Sequence, residues 1–204
     1  MLLYPTLYLA STSAGRKQLL DEAKIEYQLL KLNPHEETCE PKNSFEETVM
    51  GIAQEKMKFI ILPPVEKEGT KIAVLTADTL VRTQKSHTIL GKPGDRQTLA
   101  KYLQLLRDED GQVVTGCCLR LYESQKGDWS VTKQSDWYSS TTFGYKVAEN
   151  MIASYFENVP FALNVASGAT IEGFGAQFVS YINGSYTNVI GLPIYELKLE
   201  LGKI

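Results

Sequence analysis

Leu7-Tyr8-Leu9-Ala10-Ser11-Thr12-Ser13-Ala14-Gly15-Arg16-Lys17-Gln18-Leu19-Leu20 is the stretch that decides the fold class. Leu7 to Ala10 is an apolar run with the length of a short buried strand, and Ser11 to Gly15 is a loop of small and hydroxyl-bearing residues. Arg16 to Lys24 then has the spacing of a helix that turns Leu19, Leu20 and Ala23 inward. Strand, small-residue loop and helix in that order open a mixed α/β domain, and the alternation continues. A helix starts after Ser44, with Glu47 in the capping-box position, and runs to about Ile61. Ile72 to Ala77 is a compact apolar strand ending in Asp78. Thr88-Ile89-Leu90 leads into the turn Gly91-Lys92-Pro93-Gly94, after which Asp95 caps a helix carrying Leu99, Leu103 and Leu106 at helical spacing. Strands over 113–123 and 129–143 and a helix from about Tyr145 to Phe156 follow. A hairpin of Gln177 to Ile182 with Tyr186 to Ile190, turning at Asn183-Gly184, completes the expectation. The polar stretch Ser124 to Ser130 is a candidate separator of two lobes.

Composition excludes several classes. With 204 residues, 43% hydrophobic and 22% charged, the chain has the material for one sizeable core and is far from disordered compositions. The net charge of −3 is the wrong sign for a protein that works by neutralising a nucleic-acid backbone. The longest apolar runs, Phe59 to Leu62 and Ile72 to Leu75, are far below the roughly 20 residues that span a bilayer. The leading MLLYPTLYLAS has no basic segment and runs straight into a strand, so the expectation is a cytoplasmic protein without a secretory signal. Cysteine usage agrees: of 3 cysteines, Cys117 and Cys118 are adjacent within an apolar run and read as reduced core residues. His35 and His87 lack zinc-ligand spacing with cysteines, whereas carboxylates are plentiful for a hard cation.

Three features break the local pattern. Lys56 occupies the same stripe as Val49, Ile52, Ala53 and Ile60. A lysine on an apolar face either lets its stem snorkel to water or meets an anion. Asp78 ends a buried strand, where open α/β sheets collect ligands, although a turn or cap aspartate would read the same way. Ser11, Ser13 and Gly15 place hydroxyls and accessible amides at a helix start, with Arg16 and Lys17 in its first turn. Cations there oppose the helix dipole, and a phosphate would explain them, although an ordinary serine-capped helix accounts for the serines alone. The loop is not a P-loop, and Gly173-x-Gly175 is not a complete dinucleotide fingerprint.

Taken in order, Ala-Ser-Thr-Ser-Ala-Gly-Arg-Lys at 10–17, His-Glu-Glu-Thr at 35–38, Ala-Gln-Glu-Lys at 53–56, Ala-Asp-Thr at 77–79 and Gly-Lys-Pro at 91–93 resemble the Maf family of nucleotide pyrophosphatases. Glu-Gly-Phe-Gly at 172–175, Ile-Asn-Gly-Ser-Tyr at 182–186 and Val-Ile-Gly-Leu-Pro at 189–193 extend the resemblance across the whole chain. It implies a single Maf-like domain over 1–204, with a mixed twisted sheet, flanking helices and two lobes around a cleft, similar to the inosine-triphosphate pyrophosphatase group. It also implies hydrolysis of a nucleoside triphosphate between its α and β phosphates, a divalent cation (Mg²⁺ or Mn²⁺) and a homodimer.

Residue by residue, the resemblance carries phosphate binding to Ser11, Ser13, Arg16 and Lys17. It carries approach to the phosphates to Lys56 and Lys92, metal binding to Glu37, preceded by Glu36, and water activation or metal binding to Asp78. The chemistry is coherent, because attack on a multiply anionic phosphorus needs cations at its oxygens and a carboxylate to orient water.

Departures from the family pattern are informative. Asn164-Val165-Ala166-Ser167-Gly168-Ala169 stands where many members have Asp-Lys-Ala-Gly-Ala-Tyr, so that Asp and Lys are missing. Gly15 and Lys17 reduce the basicity of the first loop. Glu172 replaces the glutamine common in the thymidine- and uridine-triphosphate branch and resembles the branch acting on 7-methyl-GTP. A carboxylate there suits guanine, whose N1–H and exocyclic amine donate. The contrasting reading is a nucleotide-binding or regulatory module that kept the fold and lost turnover.

Overall fold

The computed structural model describes residues 5–33 and 44–204, so His35, Glu36, Glu37 and Cys39 lie outside the described residues. In chain order the main elements are β1 (Thr6–Leu9), α1 (Ala14–Glu22), β2 (Tyr27–Leu29), α2 (Phe45–Lys58), β3 (Lys71–Thr83) and β4 (Ile89–Leu90). They continue with α3 (Arg96–Glu109), β5 (Gly111–Gln125), β6 (Asp128–Tyr145), α4 (Ile152–Asn158), β7 (Val179–Asn183), α5 (Tyr186–Ile190) and α6 (Ile194–Leu201). The strands are ordered β2-β1-β3-β5-β6-β7, with β4 on β3. β1 is parallel to both β2 and β3, whereas β3 with β4 and β6 with β7 are antiparallel, so the fold is the mixed α/β class expected. The chain divides into two compact units: Met1–Asp78, Thr115–Ser139 and Gly191–Ile204 in the first, Thr79–Val114 and Ser140–Ile190 in the second.

In the first unit, Leu7 and Leu9 are fully buried alongside Ala73, Val74 and Leu75, the both-faces burial typical of parallel strands joined by helical crossovers. Ser44 caps α2 by accepting the Glu47 N–H at 3.1 Å. The buried face of α2 lays Ala53 and Met57 on Ile72, Val74, Cys118 and Tyr122. Close approach of this helix to β5 depends on Gly116, where a Cβ would fall 2.9 Å from the Met50 Cα. The stretch 124–130 is no separator. Lys126 (φ 54°) and Gly127 (φ 82°) form a tight hairpin turn between β5 and β6, and the Glu68 carboxylate accepts both of their amides.

In the second unit, Asp95 caps α3 through the Thr98 N–H at 2.8 Å, and Leu99, Leu103 and Leu106 are buried as the spacing predicts. They share a core with Phe143, Tyr145, Tyr155 and Phe178. Tyr145 belongs to β6 rather than to a helix, and the expected 145–156 helix is confined to a 3₁₀ turn at Glu149–Met151 followed by α4. The expected hairpin at Asn183-Gly184 does not form. Thr142↔Asn183 and Phe143↔Ile182 show β7 pairing with β6, and Tyr186–Ile190 is helical because the Ser185 hydroxyl accepts the Asn188 N–H at 3.2 Å. A local capping group there outcompetes a second strand.

Gly116→Ala forces a shift of helix backbone rather than of a flexible side chain. The expected loss is about 1–3 kcal/mol of unfolding free energy, measured by urea denaturation, and an unchanged midpoint would show that α2 approaches β5 less closely than described.

Candidate active site

β1 and β3 leave their pairing together. The last registered pair is Leu9↔Leu75, and the Ala10 N–H still donates to the Leu75 carbonyl at 2.9 Å. Beyond that point one chain becomes the Ser11 to Ser13 loop and the other continues through Thr76 and Asp78. Both therefore project from the carboxyl edge of parallel strands, where polar groups are free to face a ligand. Asp78 does not end its strand, as the sequence suggested. β3 runs on to Thr83 because its distal half acquires β4 as an antiparallel partner (Val81↔Leu90).

The loop is ordered by its own hydroxyls. Ser13 is the N-cap of α1, its side chain accepting from the Arg16 N–H at 3.4 Å, so the helix begins at Ala14 rather than Arg16. The Ser11 hydroxyl accepts twice, from the Ser13 N–H at 3.2 Å and from Arg16 Nη1 at 3.0 Å. The Ser11 hydroxyl thus accepts at both lone pairs and the Ser13 hydroxyl at one, and neither donates its proton to a protein acceptor among the described residues. Arg16 is buried at 7% exposure, and its Nε donates to the Gly191 carbonyl at 2.9 Å. Lys17, half-buried, closes the first turn through its backbone N–H on the Ser13 carbonyl at 3.4 Å.

Lys56 finds its anion. Its Nζ lies 2.6 Å from Asp78 Oδ1, with both side chains only 12% exposed. The snorkelling alternative therefore fails for Lys56, and the turn-cap alternative fails for Asp78. Beside the pair, the Thr76 hydroxyl donates to the Ala53 carbonyl at 2.8 Å and ties β3 to α2. Asp78 Oδ2 makes no hydrogen bond among the described residues.

Lys92 and Glu172 belong to the second unit. Lys92 is exposed, with no hydrogen-bond partner among the described residues, on a turn held from both ends. The Gly91 carbonyl accepts from the Ser167 N–H at 2.9 Å, and the Gly94 N–H donates to the Leu163 carbonyl at 3.1 Å. Glu172 is half-buried at the start of the 3₁₀ segment Gly173–Phe178, its carbonyl accepting from the Gly175 N–H at 3.0 Å. Gly175 is required there, since a Cβ would fall 2.0 Å from the Thr170 carbonyl oxygen.

The vicinal cysteines are core residues, fully buried and free of any disulfide. Burial pushes both thiols up, Cys118 to about 12, so neither supplies a nucleophile near neutral pH. Among the described residues no group of three or more His, Cys, Asp or Glu could hold a metal ion, and Asp78 alone offers a carboxylate oxygen at the strand edge, its Oδ1 paired with Lys56. The proposed ligand Glu37 lies outside the described residues. Gly191 had no assigned role in the sequence reading; the only trace of it was a glycine ahead of Leu-Pro.

Fold and site define an α/β protein whose polar side chains gather at the carboxyl edge of its parallel strands. Residues 6–204 match the family described as Maf-like protein. The chain belongs to that family, and thereby to the nucleoside triphosphate pyrophosphatases, a class of hydrolases. Proteins named dTTP/UTP pyrophosphatase match it along almost its whole length. That of Acholeplasma laidlawii is 33% identical over 97% of this chain and 94% of its own, and that of Bacillus cytotoxicus 34% over 95% and 92%. The Caldicellulosiruptor bescii protein of the same name is 30% identical over 97% of this chain and 94% of its own. Among solved structures, a HAM1 protein from Coxiella burnetii matches with a TM-score of 0.37 at 13% identity, over 69% of this chain and 73% of that one. No helix among the described residues is long and apolar enough to cross a membrane.

The raised thiols predict that iodoacetamide at pH 8 leaves Cys117 and Cys118 unmodified in the native protein and alkylates both in urea. Mass mapping of the labelled peptides checks this, and rapid native labelling at either position would contradict the burial.

Proposed function

We propose that this chain, acting as a single functional unit over 1–204, hydrolyses a nucleoside triphosphate between the α and β phosphates to give a monophosphate and pyrophosphate. The observation that carries the reading is the Lys56–Asp78 pair at the carboxyl edge of the parallel strands, one turn of chain from a hydroxyl- and guanidinium-bearing loop. The Ser11 and Ser13 protons and the Arg16 fork supply donors for phosphate oxygens, with Lys17 adding charge at the same helix start. Asp78 orients or deprotonates the attacking water, and Lys56, 2.6 Å from its Oδ1, fixes that carboxylate in place while offering its own charge to the phosphates. The family resemblance assigns phosphate binding to Lys92 as well.

Asp78, with Glu37, would hold the divalent cation, which when bound neutralises phosphate charge and acidifies water. The alternative of a binding module without turnover predicts nucleotide affinity and no pyrophosphate release under Mg²⁺ or Mn²⁺. Retention of Lys56, Asp78 and Lys92 together favours the enzyme.

Asp78→Asn keeps shape and removes charge. It is expected to lower turnover on the order of a hundred- to ten-thousandfold in a protein that still unfolds cooperatively, followed by pyrophosphate release. Lys92→Ala, at an exposed position with no hydrogen-bond partner among the described residues, is expected to cost roughly ten- to a hundredfold in kcat/KM with no change in melting temperature. A folded Asp78→Asn protein of near wild-type turnover would sink the assignment.

The relatives' names make UTP and dTTP the first substrates to assay, and pyrimidine triphosphates are the primary reading. Glu172 favours a second reading, a guanine-type base such as 7-methylguanine, because a carboxylate repels pyrimidine carbonyls and accepts from guanine's N1–H and amine. Glu172→Gln is then expected to move the kcat/KM ratio of 7-methyl-GTP to UTP by at least about tenfold towards UTP. An unchanged ratio would place base selection on other residues.

A further inference from the structure

We infer that the backbone carbonyl of Gly191 is a positioning group for Arg16, so that the Gly191-Leu192-Pro193 turn acts on the triphosphate through the guanidinium. This rests on the reading of Arg16 as a phosphate ligand. A cation in the first turn of a helix opposes the helix dipole, and burying it raises the cost, so its placement must be enforced by specific partners. Two such partners engage different nitrogens of one planar group: Ser11 Oγ at Nη1, 3.0 Å, and the Gly191 carbonyl at Nε, 2.9 Å. Two contacts at separate corners of the fork fix its plane as well as its position. The Ser11 contact is local, whereas Gly191 is 175 residues away in sequence, so the second contact couples the far end of the chain to the first loop.

The choice of a carbonyl follows from the ligand's charge. A carboxylate at Nε would hold the fork equally well but would cancel the charge a phosphate needs. A carbonyl orients the group without itself adding a negative charge. The backbone at Gly191 is specialised for this. Its φ of 122° lies in the left-handed region that side chains disfavour, so any other residue tends to turn the peptide away from Arg16.

The turn itself is firmly seated. Leu192 and Leu197 are fully buried, and Ser139 and Ser135 of β6 donate to Glu196 at 3.0 Å and Glu200 at 2.6 Å along α6.

The test is a double-mutant cycle read by the KM for the triphosphate and by calorimetric affinity for inorganic pyrophosphate, with thermal unfolding alongside. Arg16→Lys and Gly191→Ala are each expected to weaken both about tenfold, and the double variant to be no weaker than Arg16→Lys. In ¹⁵N spectra, the Arg16 Nε–H signal, assigned from its loss in Arg16→Lys, is expected to exchange slowly in the wild type and rapidly in Gly191→Ala. Additive losses in the double variant overturn the inference and leave the phosphate role of Arg16 standing. Wild-type affinities in Arg16→Lys overturn both. Should Gly191→Ala fail to fold, the wild-type signal decides: slow exchange that persists with pyrophosphate bound supports the contact, and solvent-like exchange overturns it.

Discussion

A lysine and an aspartate, each almost removed from water and 2.6 Å apart, constrain everything around them. Neither charge is tolerable alone at that depth. Breaking such a pair by removing one partner leaves an uncompensated buried charge, typically costing about 3–5 kcal/mol. Their pairing requires α2 and β3 to meet at one distance and one register. The sequence supplies what that needs: Ala53 on the facing turn of α2, the Thr76 hydroxyl donating to the Ala53 carbonyl, and Gly116 where β5 would otherwise push the helix away. A hydrophobic pair of similar volume would satisfy packing equally well. An ion pair retained at a strand end is therefore better explained by what it does to a ligand than by stability.

The same logic separates the two cations of the first unit. Lys56 meets a carboxylate, and the Arg16 guanidinium donates to the Ser11 hydroxyl and the Gly191 carbonyl, with both cations at one carboxyl edge.

Legibility in the sequence followed the range of the interaction. Leu99, Leu103 and Leu106 on α3, the Ser44 and Asp95 caps and the buried run before Asp78 are set by neighbours within a few residues, and each was readable. Lys56 and Asp78 were readable as anomalies, a charge on an apolar stripe and a charge after an apolar run, although nothing local could show that they meet. The hairpin at Asn183-Gly184 misled because the turn signal is real while the partner is β6, and because Ser185 caps a helical turn that no alternation of apolar residues announces. The extension of β3 past Asp78 depends on β4, and the Arg16–Gly191 contact joins opposite ends of the chain. Both are products of tertiary pairing, beyond local pattern.

Glu172 sits half-buried at the start of a 3₁₀ segment, where its backbone position depends on what holds the neighbouring chain. The second unit supplies the rigidity through buried hydroxyls. Tyr155 donates to the Gly168 carbonyl at 2.6 Å and accepts the Thr170 N–H at 3.2 Å, while Tyr145 donates to the Thr170 carbonyl at 2.8 Å. Burial pushes the Tyr145 hydroxyl far up, so it remains a donor at any working pH. Around them Tyr145, Tyr155 and Phe178 pack edge to face at 5.8–6.3 Å, which leaves the rings no alternative orientation. Gly175 then folds the chain back closely on Thr170, where a Cβ would fall 2.0 Å from the Thr170 carbonyl oxygen, and the backbone on both sides of Glu172 is thereby tied to the core of its unit.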